Sequence, residues 1–388
     1  MIPYGRQNIS QEDINSVVDV LKSDFLTQGN VVPNFEAKIQ EYCNVSNAVA
    51  VNSATSGLHI ACLALGVKHG DIVWTSPISF VASANCALYC GASIDFIDID
   101  PLSYNLNIDA LTKKLEIAKE NGTLPKVVIP VHLTGQSCDM LAISKLSKIY
   151  NFKIIEDASH CIGGSYLNNK IGSCEYSDIS VFSFHPVKII TTGEGGMVTT
   201  KNDDIAKKLS RLRTHGITKN TNDMLEKHEG LWYYEQIDLG FNYRMTEIQG
   251  ALGLSQMNRL DDFVLKRHKI YDRYNQLFSD VNITTPWQNP DCYSSLHLYV
   301  IRLKDNLKNK ISHREFFESM RSEGIGVNLH YIPIYRQPFF KKFNFNKRDF
   351  PESEKYYKEA ISIPIYPDLT NADQVKIAEA IKIKVNSN

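Results

Sequence analysis

Short apolar runs alternate with stretches of helical spacing through the first half of the chain, and this alternation constrains the fold more than any other feature. The runs lie at residues 48–51, 71–76 (DIVWTS), 93–100 (SIDFIDID), 126–132 (KVVIPVH), 152–160 (FKIIEDASH) and 179–183. Between them stand LHIACLAL, PISFVASANCALYCG and MLAISKLSKIY, whose apolar residues recur at helical intervals. A strand that is apolar on both faces must be covered on both faces, which predicts an α/β fold with a mostly parallel sheet between helices. In open sheets of this kind ligands bind beyond the carboxyl ends of the strands. Thr55, Phe80, Asp157, Ser183 and Lys188 all fall just past such ends.

The segment 177–200, SDISVFSFHPVKIITTGEGGMVTT, is the most unusual of these. Its strand stops at Pro186, and Lys188 follows, next to a glycine-rich run that admits torsions and close approaches forbidden to other residues. An isolated lysine beyond a strand is ordinarily a solvated loop residue. One pinned between two strands beside such a loop suits an amine held for Schiff-base chemistry. Upstream, a strand runs through NSATSG into a helix, an arrangement that presents backbone N–H groups to a phosphate. A plain helix cap explains the Ser and Thr there equally well.

SFHPVKIITTGEGGMVTT closely resembles the cofactor-lysine segment of the DegT/DnrJ/EryC1/StrS family of pyridoxal-phosphate-dependent sugar aminotransferases. GFNYRMTEIQGALG, residues 240–253, resembles a second block of that family. The resemblance covers essentially the whole chain and is nearest to the branch that aminates a 4-keto-6-deoxy-N-acetylhexosamine nucleotide on the route to pseudaminic acid. It implies the fold type I of these transferases, with pyridoxal 5'-phosphate as cofactor and Lys188 and Asp157 as catalytic residues. Thr55, Ser56 and Ser183 match phosphate-contacting positions, and Phe80 stands where the family stacks a ring on the pyridine. His160 matches the contact to the phenolic oxygen, and Asn242 the asparagine that reaches the cofactor phosphate of the partner subunit. For the sugar nucleotide it implies Tyr4 and a loop of Leu26, Thr27, Gln28 and Gly29, with Ser56, Ser183 and Asn242. A second substrate loop comprises Asn328, Leu329, His330 and Tyr331. Glu156 matches nothing catalytic and is expected to be structural. Some relatives are dehydratases with histidine at the lysine position; this chain keeps the lysine, which favours transamination. The resemblance also implies a UDP-linked substrate, L-glutamate as donor and a homodimer with shared sites. Amination at C-3, or of another 4-keto sugar, is the alternative within enzymes. A non-catalytic sensor on the same fold would lose the lysine or add a basic DNA-binding module, and this chain does neither.

Charge bounds the remaining classes. With 42 basic and 43 acidic residues the net charge is −1, so no general affinity for nucleic acid or anionic membrane is expected. Eight cysteines without a CxxC pair suit reduced thiols in a cytoplasmic enzyme rather than a metal site. The N-terminus lacks the apolar core of a signal peptide, and no stretch is apolar enough to span a bilayer.

Residues 10–22 predict an amphipathic helix with its apolar face at positions 14, 17, 18 and 21. A long helix is expected to begin at Leu239, in the stretch 239–263, and to lead into a second domain, in which LHLYVIRL and VNLHYIP read as strands. The expected division is a large cofactor-binding α/β domain over 1–254 and a smaller α+β domain over 255–388.

Overall fold

The computed structural model describes residues 1–226, 230–304 and 311–386. Seven strands form the main sheet: β1 (Asn47–Val51), β2 (Ile72–Thr75), β3 (Ser93–Phe96), β4 (Val127–Ile129), β5 (Lys153–Asp157), β6 (Ile179–Ser183) and β7 (Gly196–Thr200). Their order is β1-β7-β6-β5-β4-β2-β3. Neighbours from β3 to β6 are parallel, and only β7 runs against its neighbours. Alternate residues of each strand enter opposite cores. Ala50, Trp74, Val128, Ile154 and Phe182 pack on one side, and Val51, Val73, Val127, Ile155 and Val181 on the other. Both faces are buried, which is why the runs read as continuously apolar.

The helices are α1 (Gln11–Leu21), α2 (Val31–Cys43), α3 (Ala54–Ala64), α4 (Ala82–Tyr89), α5 (Ile108–Asn121), α6 (Met140–Tyr150) and α7 (Asp203–Arg213) in the first part of the chain. Then come α8 (Glu247–Met257), α9 (Leu260–Leu277), α10 (His313–Ser322), α11 (Pro351–Glu359) and α12 (Asn371–Asn386). A second, antiparallel sheet joins β8 (Ile283–Thr284), β9 (Tyr299–Leu303) and β10 (Ala360–Ile363). It has its own core, in which Tyr274, Tyr299, Phe316, Ile361 and Ile377 are fully buried. Among the described residues no helix is long and apolar enough to cross a membrane.

Three local expectations are corrected. The helix expected from about residue 239 begins only at Glu247, because Phe241 and Tyr243 give their amides to Leu212 and Arg213 at the end of α7 and Asn242 bridges Thr214. Thr246 and Gln249 then cap α8 reciprocally, and the helix breaks again at Asn258 and Arg259 before α9. The stretch VNLHYIP is not a strand. Asn328 makes one bridge to Ser362, the amide of Leu329 turns to the Asn328 side chain, and Ile334 bonds Pro77. In α1, Asp13 and Val20 face inward while Ile14 and Leu21 are exposed. The orientation is set by Asp13, whose carboxylate takes hydrogen bonds from Ser255, Gln256 and Arg259. A buried carboxylate without those donors would cost more than the exposed apolar stripe does.

Candidate active site

Beyond the carboxyl ends of the strands lies a cavity of about 590 Å³. Lys188 reaches it from the connection between β6 and β7, which turns at once, the amide of Lys188 bonding the His185 carbonyl at 2.9 Å. Burial lowers the Lys188 amine from its ordinary 10.5 to about 8, against the opposing pull of Asp157. Gly196 allows β7 to lie on the β1–α3 turn, since a Cβ there would stand 2.7 Å from the backbone nitrogen of Ala54. The glycine-rich run thus serves close packing of protein on protein at this point.

Asp157 ends β5 and is buried at the cavity wall. Its Oδ2 accepts from the Ser83 hydroxyl at 2.6 Å and its Oδ1 from the Ser159 amide at 3.2 Å. Ser83 in turn is 2.7 Å from Ser79. His160 pairs its Nε2 with the Tyr331 hydroxyl at 3.1 Å, and its Nδ1 is buried without a partner. Burial, with Lys188 and His330 adding repulsion, pushes its pKa well below the usual histidine value, so the ring is neutral. Glu156, on the opposite side of β5, is taken up by His132 at 2.7 Å and by Ser177, as its structural assignment requires.

At the other end of the cavity Ser53 caps α3 by accepting from the Ser56 amide, and Thr55 faces the cavity with the first turn of the helix. Ser183 lines the same end. Phe80 stands in the wall, 58% exposed, its ring 6.2 Å from that of Tyr331. Tyr4 and the four residues Asn328, Leu329, His330 and Tyr331 line the cavity as well. The Tyr4 ring is 5.4 Å from His330, and burial lowers the pKa of His330 to about 3.

Six expected residues do not line this cavity. Ser56 is buried, its hydroxyl spent on Asn52 at 2.6 Å. Leu26, Thr27, Gln28 and Gly29 lie on the loop before α2, and Asn242 is exposed on the segment before α8. Sequence reasoning missed Ser53, Ser79, Glu194 and His297, all of which line it. Ser53 was legible as the first residue able to cap α3. His297, whose buried Nδ1 has no partner and whose ring lies 4.4 Å from His160, sits in an apolar run without a motif.

The chain matches the DegT/DnrJ/EryC1/StrS aminotransferase family over residues 7–382. It belongs to that family. The UDP-4-amino-4,6-dideoxy-N-acetyl-beta-L-altrosamine transaminase of Campylobacter jejuni serotype O:23/36 is 40% identical over 375 residues, spanning 96% of this aminotransferase and 94% of the relative. Among solved structures, Helicobacter pylori PseC, an aminotransferase involved in pseudoaminic acid biosynthesis, superposes with a TM-score of 0.91 at 31% identity, each chain covered in full (100%). The protein Spr1654 from Streptococcus pneumoniae, solved in its PLP form, gives a TM-score of 0.87 at 26% identity over 99% and 98% of the two chains. The aminotransferase has the fold type I of pyridoxal-phosphate enzymes, with its mostly parallel sheet between helices.

Proposed function

We propose that this aminotransferase uses pyridoxal phosphate to aminate the 4-keto carbon of a UDP-linked 4-keto-6-deoxy-N-acetylhexosamine, with L-glutamate as donor, in a cytoplasmic route to pseudaminic acid. The observation that carries the reading is Lys188, an amine with pKa of about 8, sharing one cavity with Asp157 and the helix start at Ser53 and Thr55.

The residues fit the cofactor. His160 lines the cavity with its Nδ1 left without a partner, and the Asp157 carboxylate has lone pairs to spare for a ring nitrogen. Ser53, Thr55 and Ser183 with the N-terminus of α3 suit a phosphate. Pyridoxal phosphate, when bound, supplies the electron sink that lets an amino group leave one carbon and enter another.

Lys188 is the proton carrier of this reading. Its Nζ takes a proton from the α-carbon of the donor and later delivers one to C-4 of the sugar, a task suited to an amine whose pKa lies near the working pH. Asp157 keeps the ring nitrogen protonated by a charge-assisted hydrogen bond, and its own position is held by Ser83 and Ser159. His160 would orient the ring, and Phe80 would cover one face of it. Tyr4, Asn328, Leu329, His330 and Tyr331 are the walls from which the sugar would be read. The division into 1–254 and 255–388 belongs to the same reading, the second part lending the wall that contains His297, Asn328 and Tyr331. Leu26, Thr27, Gln28, Gly29 and Asn242 do not line the cavity of their own chain, and in this reading they complete the cavity of a second copy. Ser56, whose amide goes to Ser53 and whose hydroxyl goes to Asn52, would serve the phosphate only by holding the turn that carries Ser53 and Thr55.

Incubation with L-glutamate and a panel of 4-keto and 3-keto nucleotide sugars, with products identified by mass and NMR, tests the substrate. The reading expects a 4-amino sugar from the UDP-linked N-acetylated 4-keto compound. Exclusive turnover of a 3-keto compound would reject it.

A further inference from the structure

We infer that Glu247 is a positioning residue that fixes loop 26–29 to the start of α8, so that the loop and the Asn242 segment reach the sugar nucleotide as one unit. The inference rests on the shared-site reading above and adds a residue to it.

Glu247 opens α8 and is only 1% exposed. Such burial of a carboxylate demands donors, and Glu247 finds three in another part of the chain. Its Oε1 accepts from the Gly29 amide at 3.0 Å, and its Oε2 from the amides of Val31 at 2.6 Å and Val32 at 3.3 Å. Its own amide returns a bond to the Leu26 carbonyl at 2.9 Å. These bonds bracket the loop at both ends. They also supply what α2 lacks, because Asn30 at the cap position makes no side-chain cap bond, and the carboxylate meets the positive end of that helix instead.

The residue at position 29 confirms how tightly the loop is drawn in. A Cβ at Gly29 would stand 3.1 Å from Oε2 of Glu247 and 3.0 Å from Cβ of Phe25. From the same helix turn, Gln249 donates to the Glu194 carbonyl at 2.7 Å, and Glu194 lines the Lys188 cavity. One turn of α8 therefore holds the loop, the glycine-rich run after Lys188, and the extended segment that carries Asn242.

The test is Glu247→Gln, which keeps the shape but turns an amide donor group toward backbone donors. The glutamine keeps one accepting oxygen, so either Gly29 or the Val31 and Val32 pair loses its acceptor and should exchange faster by about tenfold or more. KM for the nucleotide sugar should rise about tenfold, while the half-reaction with L-glutamate keeps its rate and the cofactor its absorption spectrum. A merely structural role would lower both half-reactions together or neither. Exchange unchanged at all three amides overturns the clamp, and faster exchange with an unchanged sugar KM overturns the positioning role. If the Glu247→Gln protein does not fold, Gly29→Ala loosens the loop from the other side and should raise the same KM; an unchanged value there also overturns the inference. Exchange does not depend on the substrate, so an enzyme that turned over no 4-keto sugar would reject the functional reading while the amides still decided the clamp.

Discussion

At the scale of single residues, the fold makes one amine easy to discharge. The folded protein disfavours the charged Lys188, whose pKa falls from 10.5 to about 8 through burial. In the cofactor-free protein that preference is a penalty on stability, present in full below about pH 8 and relieved as pH rises toward 10.5, because there the unfolded chain binds more protons than the folded one. Cofactor-free Lys188→Met should therefore unfold at higher urea than the wild type at pH 7, and the gap should shrink steadily up to pH 10. A constant gap would show that the amine is not destabilised. In the loaded enzyme Lys188→Ala should lose about a hundredfold or more of turnover, and after borohydride treatment the cofactor mass should no longer be found on the peptide that spans residue 188. Asp157→Asn keeps the shape but loses the charge, and should cost activity by about a hundredfold without altering the melting temperature by more than a few degrees. Near-normal rates would mean that the carboxylate only serves Ser83 and Ser159.

At the scale of elements, the cradle depends on how closely β7 lies on the turn between β1 and α3. Gly196→Ala places a carbon 2.7 Å from the Ala54 nitrogen, and backbone cannot step aside as a flexible side chain can. The variant should be destabilised by about 1–3 kcal/mol in denaturant melts and should hold pyridoxal phosphate less tightly by equilibrium dialysis. The strands themselves were legible because burial on both faces leaves an unbroken apolar run, and their ends located Thr55, Phe80, Asp157, Ser183 and Lys188 correctly at one cavity. What stayed hidden was decided by tertiary partners. The segment before α8 has the composition of a helix but spends its amides on the end of α7, and α1 turns a carboxylate inward against its apolar stripe. His297 could not be found, since its role comes from a contact with His160 across more than a hundred residues of chain.

At the scale of the whole molecule, the chain divides the expected site in two. The cavity holds Lys188 and its neighbours, while Asn242 and loop 26–29 stand apart from it. In the shared-site reading each copy gives what it receives. Mixing Lys188→Ala protein with Asn242→Ala protein, each inactive alone, should then restore activity at one site of the heterodimer, measured after subunit exchange is verified by mass. Background activity in a verified heterodimer would confine Asn242 to its own subunit or to no role.

The reversed strand β7 also sets an order of events during synthesis. β1 is an edge strand whose one partner in the sheet is β7, so the stretch that opens the cradle leaves the ribosome long before the strand that will pair with it. Until then β1 exposes a bare edge, a condition in which chaperones engage nascent chains. Lys188 emerges before β7 as well, on a connection that still lacks its far end. In the proposed reading cofactor capture would then follow translation past residue 200, and a nascent chain ending before β7 should not acquire the colour of the finished enzyme.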